Sequence, residues 1–239
     1  MNKIGWCEET WNPITGCTKI EKGCENCYAE RIANRFWGKR KFNDIRFHPE
    51  RLEIPLHWKK PRRIFVCSMG DLFHPDVPDN WIVDIWNMMA QCQQHTFLVL
   101  TKRPQRFYDL WMHYGFVNWG NIWAGLSVST QKEWDEKHQI FMRIPNTKKF
   151  ISYEPALGQV DFHYVCDYGD HRNLRCLGCD KGIDWLICGA ESGAGARHMV
   201  PDWARSARDQ CNIAGVPFWM KQMSNHAPIP PDLAIKELP

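Results

Sequence analysis

The chain has 239 residues, of which 44% are hydrophobic and 24% are charged, and its formal net charge at neutral pH is +3. This composition is that of a globular protein with room for one large domain, and no apolar run approaches the length of a membrane span. Its eleven cysteines, odd in number and irregularly spaced, argue against a disulfide framework and favour metal ligands and buried thiols. We therefore expect a cytoplasmic protein with no membrane partner.

Three cysteines follow a weak strand candidate at residues 6–10, in the pattern Cys17-x6-Cys24-x2-Cys27. Three neighbouring thiolates can hold three irons of a cubane iron–sulfur cluster and leave the fourth iron open to a reactive ligand. A pair of cysteines separated by two residues is also half of a zinc site, in which Cys7 would be the fourth ligand. The spacing leaves both interpretations open.

Short apolar strands and amphipathic helices alternate after these cysteines. The first helix has Tyr28, Ile32 and Phe36 on one face, and Gly38 ends it. A basic stretch, residues 39–63, follows. Six strands are then predicted at residues 63–67, 96–100, 122–126, 149–153, 184–188 and 217–220. Helices are predicted between strands from Pro78, from Pro104, across 131–142 and across 201–213.

Continuous apolar strands separated by helices indicate a parallel sheet that is covered on both faces. We predict an α/β fold with a full or partial (β/α) barrel of the TIM type, and a flat doubly wound sheet is the alternative. The sequence contains no GxGxxG and no GxxxxGKS/T motif, which weakens the nucleotide-binding forms of the flat sheet. Residues 1–239 are treated as one barrel domain with a Cys/His-rich insertion at 158–181.

In parallel α/β folds the active site lies at the carboxyl ends of the strands. Almost every predicted strand ends in polar or charged residues here. The residues at or just past these ends include Ser68, Gly70, Asp71, Lys102, Arg103, Ser127, Ser129, Glu154 and Glu191. One polar strand end means little, because loops are generally hydrophilic. A whole set of them on the same edge as the cysteine loop predicts an active site.

The sequences WNPxxGC (residues 11–17) and GCxxCYAE (residues 23–30) resemble the signature of a phage and bacterial family of radical-SAM-like proteins whose reaction is unassigned. Further matching stretches are DLFH (71–74), TKRP (101–104) and ESG (191–193), so the resemblance spans nearly the whole chain. The wider superfamily uses a Cys-x3-Cys-x2-Cys loop. The first gap of six residues in this chain departs from that pattern.

This resemblance implies that Cys17, Cys24 and Cys27 ligate a [4Fe–4S] cluster whose open iron is chelated by S-adenosylmethionine (SAM). An external electron donor of the flavodoxin or ferredoxin type would reduce the cluster, and one electron would break the sulfonium bond. The products would be methionine and a 5′-deoxyadenosyl radical that abstracts a hydrogen atom. The protein's tasks in such chemistry are orientation, redox tuning and exclusion of water.

The resemblance also implies cofactor contacts at the strand ends. Ser68, Gly70 and Asp71 stand where such enzymes receive the methionine amino group, and Asp71 would neutralise the ammonium. Ser127 and Ser129 stand where ribose hydroxyls are held. The alternatives are a helix N-cap for Asp71 and satisfied loop hydroxyls for the two serines.

Four further residues are candidates for the catalytic group. Lys102 and Arg103 could bind the methionine carboxylate or a substrate phosphate, with ordinary surface charges as the alternative. Glu154 and Glu191 end buried strands, where a carboxylate costs free energy unless it is paired. They could accept hydrogen bonds from ribose or substrate, or pair with Lys221 or Arg103.

The insertion at residues 158–181 contains a second group of potential metal ligands, namely Cys166, His171, Cys176 and Cys179. We predict a four-ligand structural zinc site there, because metal binding would explain how so polar a segment becomes ordered. A second iron–sulfur cluster and unligated thiols are the alternatives. The cysteines in apolar patterns are expected in the core, and these are Cys67, Cys92, Cys188 and Cys211.

Two classes of function follow from these patterns. The first is a radical SAM enzyme of unknown substrate, for which the basic stretch at residues 39–63 suggests nucleic acid or a nucleotide. The second is a non-catalytic module, organised by zinc, that binds nucleic acid or protein. The polar strand ends and the missing fourth cysteine favour the enzyme.

Overall fold

The structure is a computed structural model that describes residues 4–166, 169–171, 174 and 182–239. The strands within this part are β1 (Glu9–Trp11), β2 (Ile14–Thr15), β3 (Arg46–Phe47), β4 (Arg63–Val66), β5 (Thr96–Thr101), β6 (Ile122–Val128), β7 (Lys149–Tyr153), β8 (Tyr164–Cys166), β9 (Gly169–His171), β10 (Trp185–Gly189) and β11 (Phe218–Gln222). The helices are α1 (Tyr28–Phe36), α2 (Asp79–Gln91), α3 (Pro104–Tyr114), α4 (Gln131–Met142) and α5 (Pro201–Ala214). None of these helices is both long and apolar enough to cross a membrane.

Seven parallel strands form one sheet in the order β1-β4-β5-β6-β7-β10-β11. The sheet order follows the chain order, and β2–β3 and β8–β9 form separate two-stranded antiparallel pairs. A doubly wound sheet would reverse its order at a switch point. The order found is that of a (β/α) barrel whose first and last strands remain edges. The α/β prediction is therefore confirmed, in its partial-barrel form.

Burial follows the predicted periodicity in most elements. Helix α2 buries Ile82, Ile85, Trp86 and Met89, the four residues that its helical period selects. All seven residues of β6 are buried, as expected for a strand covered on both faces. The cysteines predicted to lie in the core are each at most 2% exposed, and these are Cys67, Cys92, Cys188 and Cys211.

Helix α1 differs from the simplest expectation for an amphipathic helix. Its apolar stripe of Tyr28, Ile32 and Phe36 is exposed to solvent. The helix instead buries the two small residues Ala29 and Ala33, which pack against Phe42 in the following loop. Small side chains allow that loop to lie close to the helix, so the larger apolar residues remain on the outer face.

The chain divides into two compact units, each described here by itself: Met1–Gly125 with Ile144–Lys148, and Leu126–Arg143 with Lys149–Pro239. In the first unit, Trp11 lies opposite Val66, and Val66 lies opposite Val99. In the second unit, Cys188 lies opposite both Tyr153 and Met220. Within each unit the carboxyl ends of neighbouring strands are thus level. The single barrel domain at 1–239 with an insertion at 158–181 stays a prediction.

Candidate functional site

Backbone contacts anchor the start of the cysteine loop in the first unit. The amide of Gly16 donates to the carbonyl oxygen of Met69 at 2.9 Å, and the amide of Cys17 donates to that of Phe42 at 2.9 Å. Gly16 has φ of +101°, and a Cβ atom on Gly70 would lie 2.8 Å from the carbonyl oxygen of Gly16. Both glycines are therefore needed for the close approach of two backbones. This gives Gly70 a packing role, and its predicted contact with a cofactor stays a prediction.

The three cysteines of the loop are free and half-buried. Burial and the carboxylate of Asp71 raise the pKa of Cys17 to about 12, although Arg103 acts in the opposite direction. Burial also raises the pKa of Cys27, and the first backbone amides of α1 offset part of that rise. A charge on Cys24 adds to the raised pKa of both other thiols.

A buried ion pair lies against the first cysteine. Arg103 Nη1 contacts the sulfur of Cys17 at 3.6 Å and Asp71 Oδ2 at 3.0 Å, and the two charged side chains are only 10% and 7% exposed. Arg103 Nη2 donates to the carbonyl oxygen of Thr18 at 3.1 Å. The guanidinium thus joins the cysteine loop to the end of β4 through direct hydrogen bonds.

Asp71 accepts four hydrogen bonds with its two carboxylate oxygens. Oδ1 accepts from the amide of Phe73 at 3.0 Å and from the hydroxyl of Thr101 at 2.8 Å. Oδ2 accepts from the amide of Lys102 at 3.1 Å as well as from Arg103. The carboxylate therefore fastens the end of β4 to the end of β5. Its local contact with Phe73 resembles the capping role considered as the alternative to ammonium binding.

Two further pairs hold the segment between Cys17 and Cys24. Lys102 forms an ion pair with Glu21, whose side chain is 8% exposed. The hydroxyl of Thr18 shares a 2.7 Å hydrogen bond with Nε2 of His74, a residue that is almost fully buried. Glu21 and Thr18 carried no motif signal in the sequence. They are recognisable as parts of the site only once the loop is folded.

Asn12 is another residue whose role only the fold reveals. Its side-chain oxygen accepts from the hydroxyl of Ser68 at 3.1 Å and from the amide of Met69 at 2.9 Å. The carbonyl oxygen of Ser68 in turn accepts from the hydroxyl of Tyr28 at 2.6 Å. Ser68 thus links the WNP segment to the first turn of α1. The sequence motif contains Asn12 but does not indicate these contacts.

Three cysteine thiols on one loop are a donor set of the kind that a cubane cluster uses. In the described part of the chain, no three His, Cys, Asp or Glu side chains are grouped closely enough to hold one metal ion. Three thiolates on one zinc ion would lie about 3.8 Å apart, since Zn–S bonds of about 2.3 Å are arranged tetrahedrally. In a cubane each thiolate binds its own iron, so the three sulfurs stand further apart. The thiol of Cys7 is buried and donates to the carbonyl oxygen of Ile4 at 3.8 Å.

The second unit contains the other predicted strand-end residues. Ser127 donates its hydroxyl to the carbonyl oxygen of Glu154 at 3.4 Å, and the carboxylate of Glu154 pairs with Lys221. This is the pairing considered as the alternative role for Glu154. Ser129 is fully buried, and its hydroxyl has no hydrogen-bond partner among the residues that the structure describes. Glu191 is paired with Arg197, whose amide also donates to its carboxylate at 2.8 Å.

Two of the four predicted zinc ligands, Cys176 and Cys179, lie outside the described residues. For Cys166 and His171 only the backbone is described: each pairs across the short β8–β9 ladder, with Gly169 and Tyr164 respectively. The zinc site in the insertion stays a prediction.

Comparison with known proteins identifies a family and one distant structural similarity. A family model described as "Protein of unknown function (DUF5131)" matches residues 1–233. No curated protein matches the chain. A solved structure of a spore photoproduct lyase mutant with bound AdoMet and dinucleoside spore photoproduct is similar, with a TM-score of 0.44 and 9% sequence identity. The similarity covers 86% of this chain and 61% of the lyase chain, so the chain spans about three fifths of the lyase's length.

Proposed function

This chain belongs to that family of unknown function, and we propose that it is a radical SAM enzyme in which Cys17, Cys24 and Cys27 hold a [4Fe–4S] cluster with one open iron. The observation that supports this most is the set of three half-buried thiols on one anchored loop, with the buried Arg103–Asp71 pair against the first of them. The sequence motif around these thiols supports the same reaction class.

When bound, the cluster and SAM would supply one-electron cleavage of the sulfonium bond and hydrogen abstraction from a substrate. The chain's own residues prepare the ligands for this. Arg103 directs a charged N–H group at the sulfur of Cys17, which favours the thiolate that ligation requires. The amides at the start of α1 act in the same direction on Cys27.

The remaining residues of the site position the loop. Lys102 and Glu21 fix its middle, and the backbone contacts of Gly16 fix its start. Through these contacts Lys102 and Arg103 act on the cysteine loop. In our proposal Ser68 and Asp71 remain the candidates for the methionine end of SAM.

The test is anaerobic reconstitution of the full chain with iron and sulfide. Metal and sulfide analysis would be followed by reduction and electron paramagnetic resonance with and without SAM. We expect about four irons per chain, as one cubane contains, and a signal that changes when SAM is added. Replacing Cys24 with Ala should abolish the signal. The matched control is Cys92→Ala, which removes a buried thiol that lies outside the loop.

A Cys7→Ala variant separates the cluster from a four-cysteine zinc site. Because Cys7 is hydrogen-bonded to Ile4 and is not a ligand in our proposal, this variant should keep the cluster signal. Zinc in place of iron after reconstitution, lost on replacing Cys7, would refute the radical SAM proposal. The non-catalytic, zinc-organised binding module would then account for the cysteines.

A further inference from the structure

A basic cleft lies beside the cysteine loop in the first unit. It has a volume of about 470 Å³ and is lined by Lys39, Arg40, Lys41, Asn43, Asp44 and Arg46. The four basic side chains outnumber the single acidic one. The cleft follows α1 directly in the chain, at the beginning of the basic stretch noted in the sequence.

The cations of the cleft are of two kinds, two arginines that are bonded to the protein and two lysines. Arg46 pairs with the carboxylate of Asp44 at 2.6 Å. Arg40 is fixed: its Nη2 donates to the carbonyl oxygens of Thr15 at 3.1 Å and of Asp44 at 2.6 Å, and its guanidinium lies 4.0 Å from the ring centre of Trp37. Lys39 and Lys41 are exposed, and the ammonium group of neither has a hydrogen bond or ion pair within the described ranges of the chain. An inner cation that is already held by the protein is thus flanked by two lysines that are free to bind an anion.

The far end of the basic stretch is neutralised by the fold. Arg62 pairs with Glu9 and Arg63 pairs with Glu8, both across the β1–β4 edge of the sheet. Around the cleft the positive charge is in excess instead. Burial and the nearby Arg46 lower the pKa of Arg40, in agreement with this excess.

An exposed aromatic residue precedes the cleft in the chain, and the guanidinium of Arg35 lies 5.1 Å from its ring centre. Phe36, the last residue of α1, is 69% exposed and stands three residues before Lys39. Exposed aromatic rings next to free cations are the combination that single-stranded nucleic acids use, because bases stack on the ring while phosphates meet the cations. An acidic peptide or a membrane headgroup would offer the lysines an anion but no base to stack on the ring.

We propose that the cleft and Phe36 bind single-stranded nucleic acid, with backbone phosphates at Lys39 and Lys41 and a base stacked on Phe36. Direct contacts join this surface to the proposed cluster ligands. The amide of Cys17 donates to the carbonyl oxygen of Phe42, whose neighbours in the sequence, Lys41 and Asn43, line the cleft. Gly16 packs against the backbone of Asp44. The inference that the bound strand is the substrate rests on the proposed function, whereas the inference that the cleft binds a strand does not.

The experiment measures binding of a fluorescent mixed-sequence single-stranded DNA to the full chain at several salt concentrations. The variant Lys39→Ala/Lys41→Ala should weaken binding about 25-fold at about 0.1 M salt and reduce the salt slope by about 1.4, as expected for two lost phosphate contacts. The matched control is Lys59→Ala/Lys60→Ala, which removes the same charge from exposed lysines of the same basic stretch outside the cleft. Phe36→Ala should weaken binding about fivefold or more without changing the salt slope.

Equal losses for the two lysine pairs would overturn the proposal, since they would show diffuse attraction by net charge alone. Acidic polyglutamate or anionic lipid vesicles that bind as tightly as the DNA, without sensitivity to Phe36→Ala, would also overturn it in favour of those partners. The Cys24→Ala variant, expected to lack the cluster, should bind DNA as the wild type does. Failure to bind DNA therefore speaks against the cleft, whereas failure to assemble a cluster speaks against the proposed reaction.

Discussion

Replacing Asp71 with alanine is expected to lower the free energy of unfolding of the reduced, metal-free chain by about 3–5 kcal/mol. The variant removes all four hydrogen bonds that the carboxylate accepts and leaves the guanidinium of Arg103 buried without its charge partner. Breaking one half of a buried pair costs far more than the pair itself contributes, because the remaining charge stays desolvated. The loss would be a large share of the 5–15 kcal/mol typical of folded domains.

The assay is urea unfolding under anaerobic, reducing conditions, followed by tryptophan fluorescence. The matched control is Glu136→Ala, which breaks a highly exposed pair with Lys132 and should cost less than about 1 kcal/mol. Asp71→Asn keeps the shape of the side chain and one acceptor oxygen, so its cost should lie between the two. A loss for Asp71→Ala within about 1 kcal/mol of the control would refute the inference that Asp71 fastens Arg103 and the two strand ends.

A double-mutant cycle tests whether the pair acts as a unit. Asp71→Asn and Arg103→Met in one chain should cost less than the sum of the single changes, because neither then leaves a buried charge unpaired. The expected coupling energy is about 1–3 kcal/mol, as for contacting residues in one network. Additive losses would mean that the two side chains do not interact in solution.

Three further predictions concern single positions. Gly16→Ala should lower the free energy of unfolding in urea by about 3 kcal/mol, since the φ of Gly16 is +101° and the new Cβ would lie 2.6 Å from a carbonyl oxygen. Gly38→Ala is the control, because Gly38 has a positive φ but open space around it, and it should cost about 1 kcal/mol. Lys102→Ala should speed alkylation of the metal-free loop cysteines about fivefold or more by freeing Glu21, and an unchanged rate would contradict this. Burial lowers the pKa of His138 below 6.5, so the unfolded chain binds the proton more readily and stability should fall as the pH drops below about 6.5. His138→Gln should flatten that dependence between about pH 5 and pH 8, and an unchanged slope would count against it.

The sequence predicts the strands well because each is a continuous apolar run. The strand predicted at residues 63–67 is β4, which is one residue shorter, and the one predicted at 96–100 is β5, which is one residue longer. The rule that active sites lie at the carboxyl ends of parallel strands selected Asp71 and Arg103, which contact each other, and Arg103 also contacts Cys17. Such general rules depend only on local pattern and fold class.

The partners of those residues could not be predicted in the same way. Lys102 pairs with Glu21, eighty-one positions earlier in the chain, and no local signal marks that pair. The exposure of the apolar face of α1 could not be predicted either. The helical period shows that apolar residues share a face, but it does not show whether another part of the chain covers that face. Ala29 and Ala33 were buried instead, because two small residues let the following loop approach.

The contact between Gly16 and Gly70 fixes one end of the cysteine loop, so the number of residues in the loop can vary. Cys17 is fixed by main-chain contacts on one side, and Cys27 is fixed by the start of α1 on the other. The residues between these two anchors can increase in number without displacing either cysteine. Doubling such a segment, from three residues to six, costs only about 0.6 kcal/mol of closure entropy. The six residues of the first gap thus cost little in closure entropy, and one of them, Glu21, is the acidic partner of Lys102.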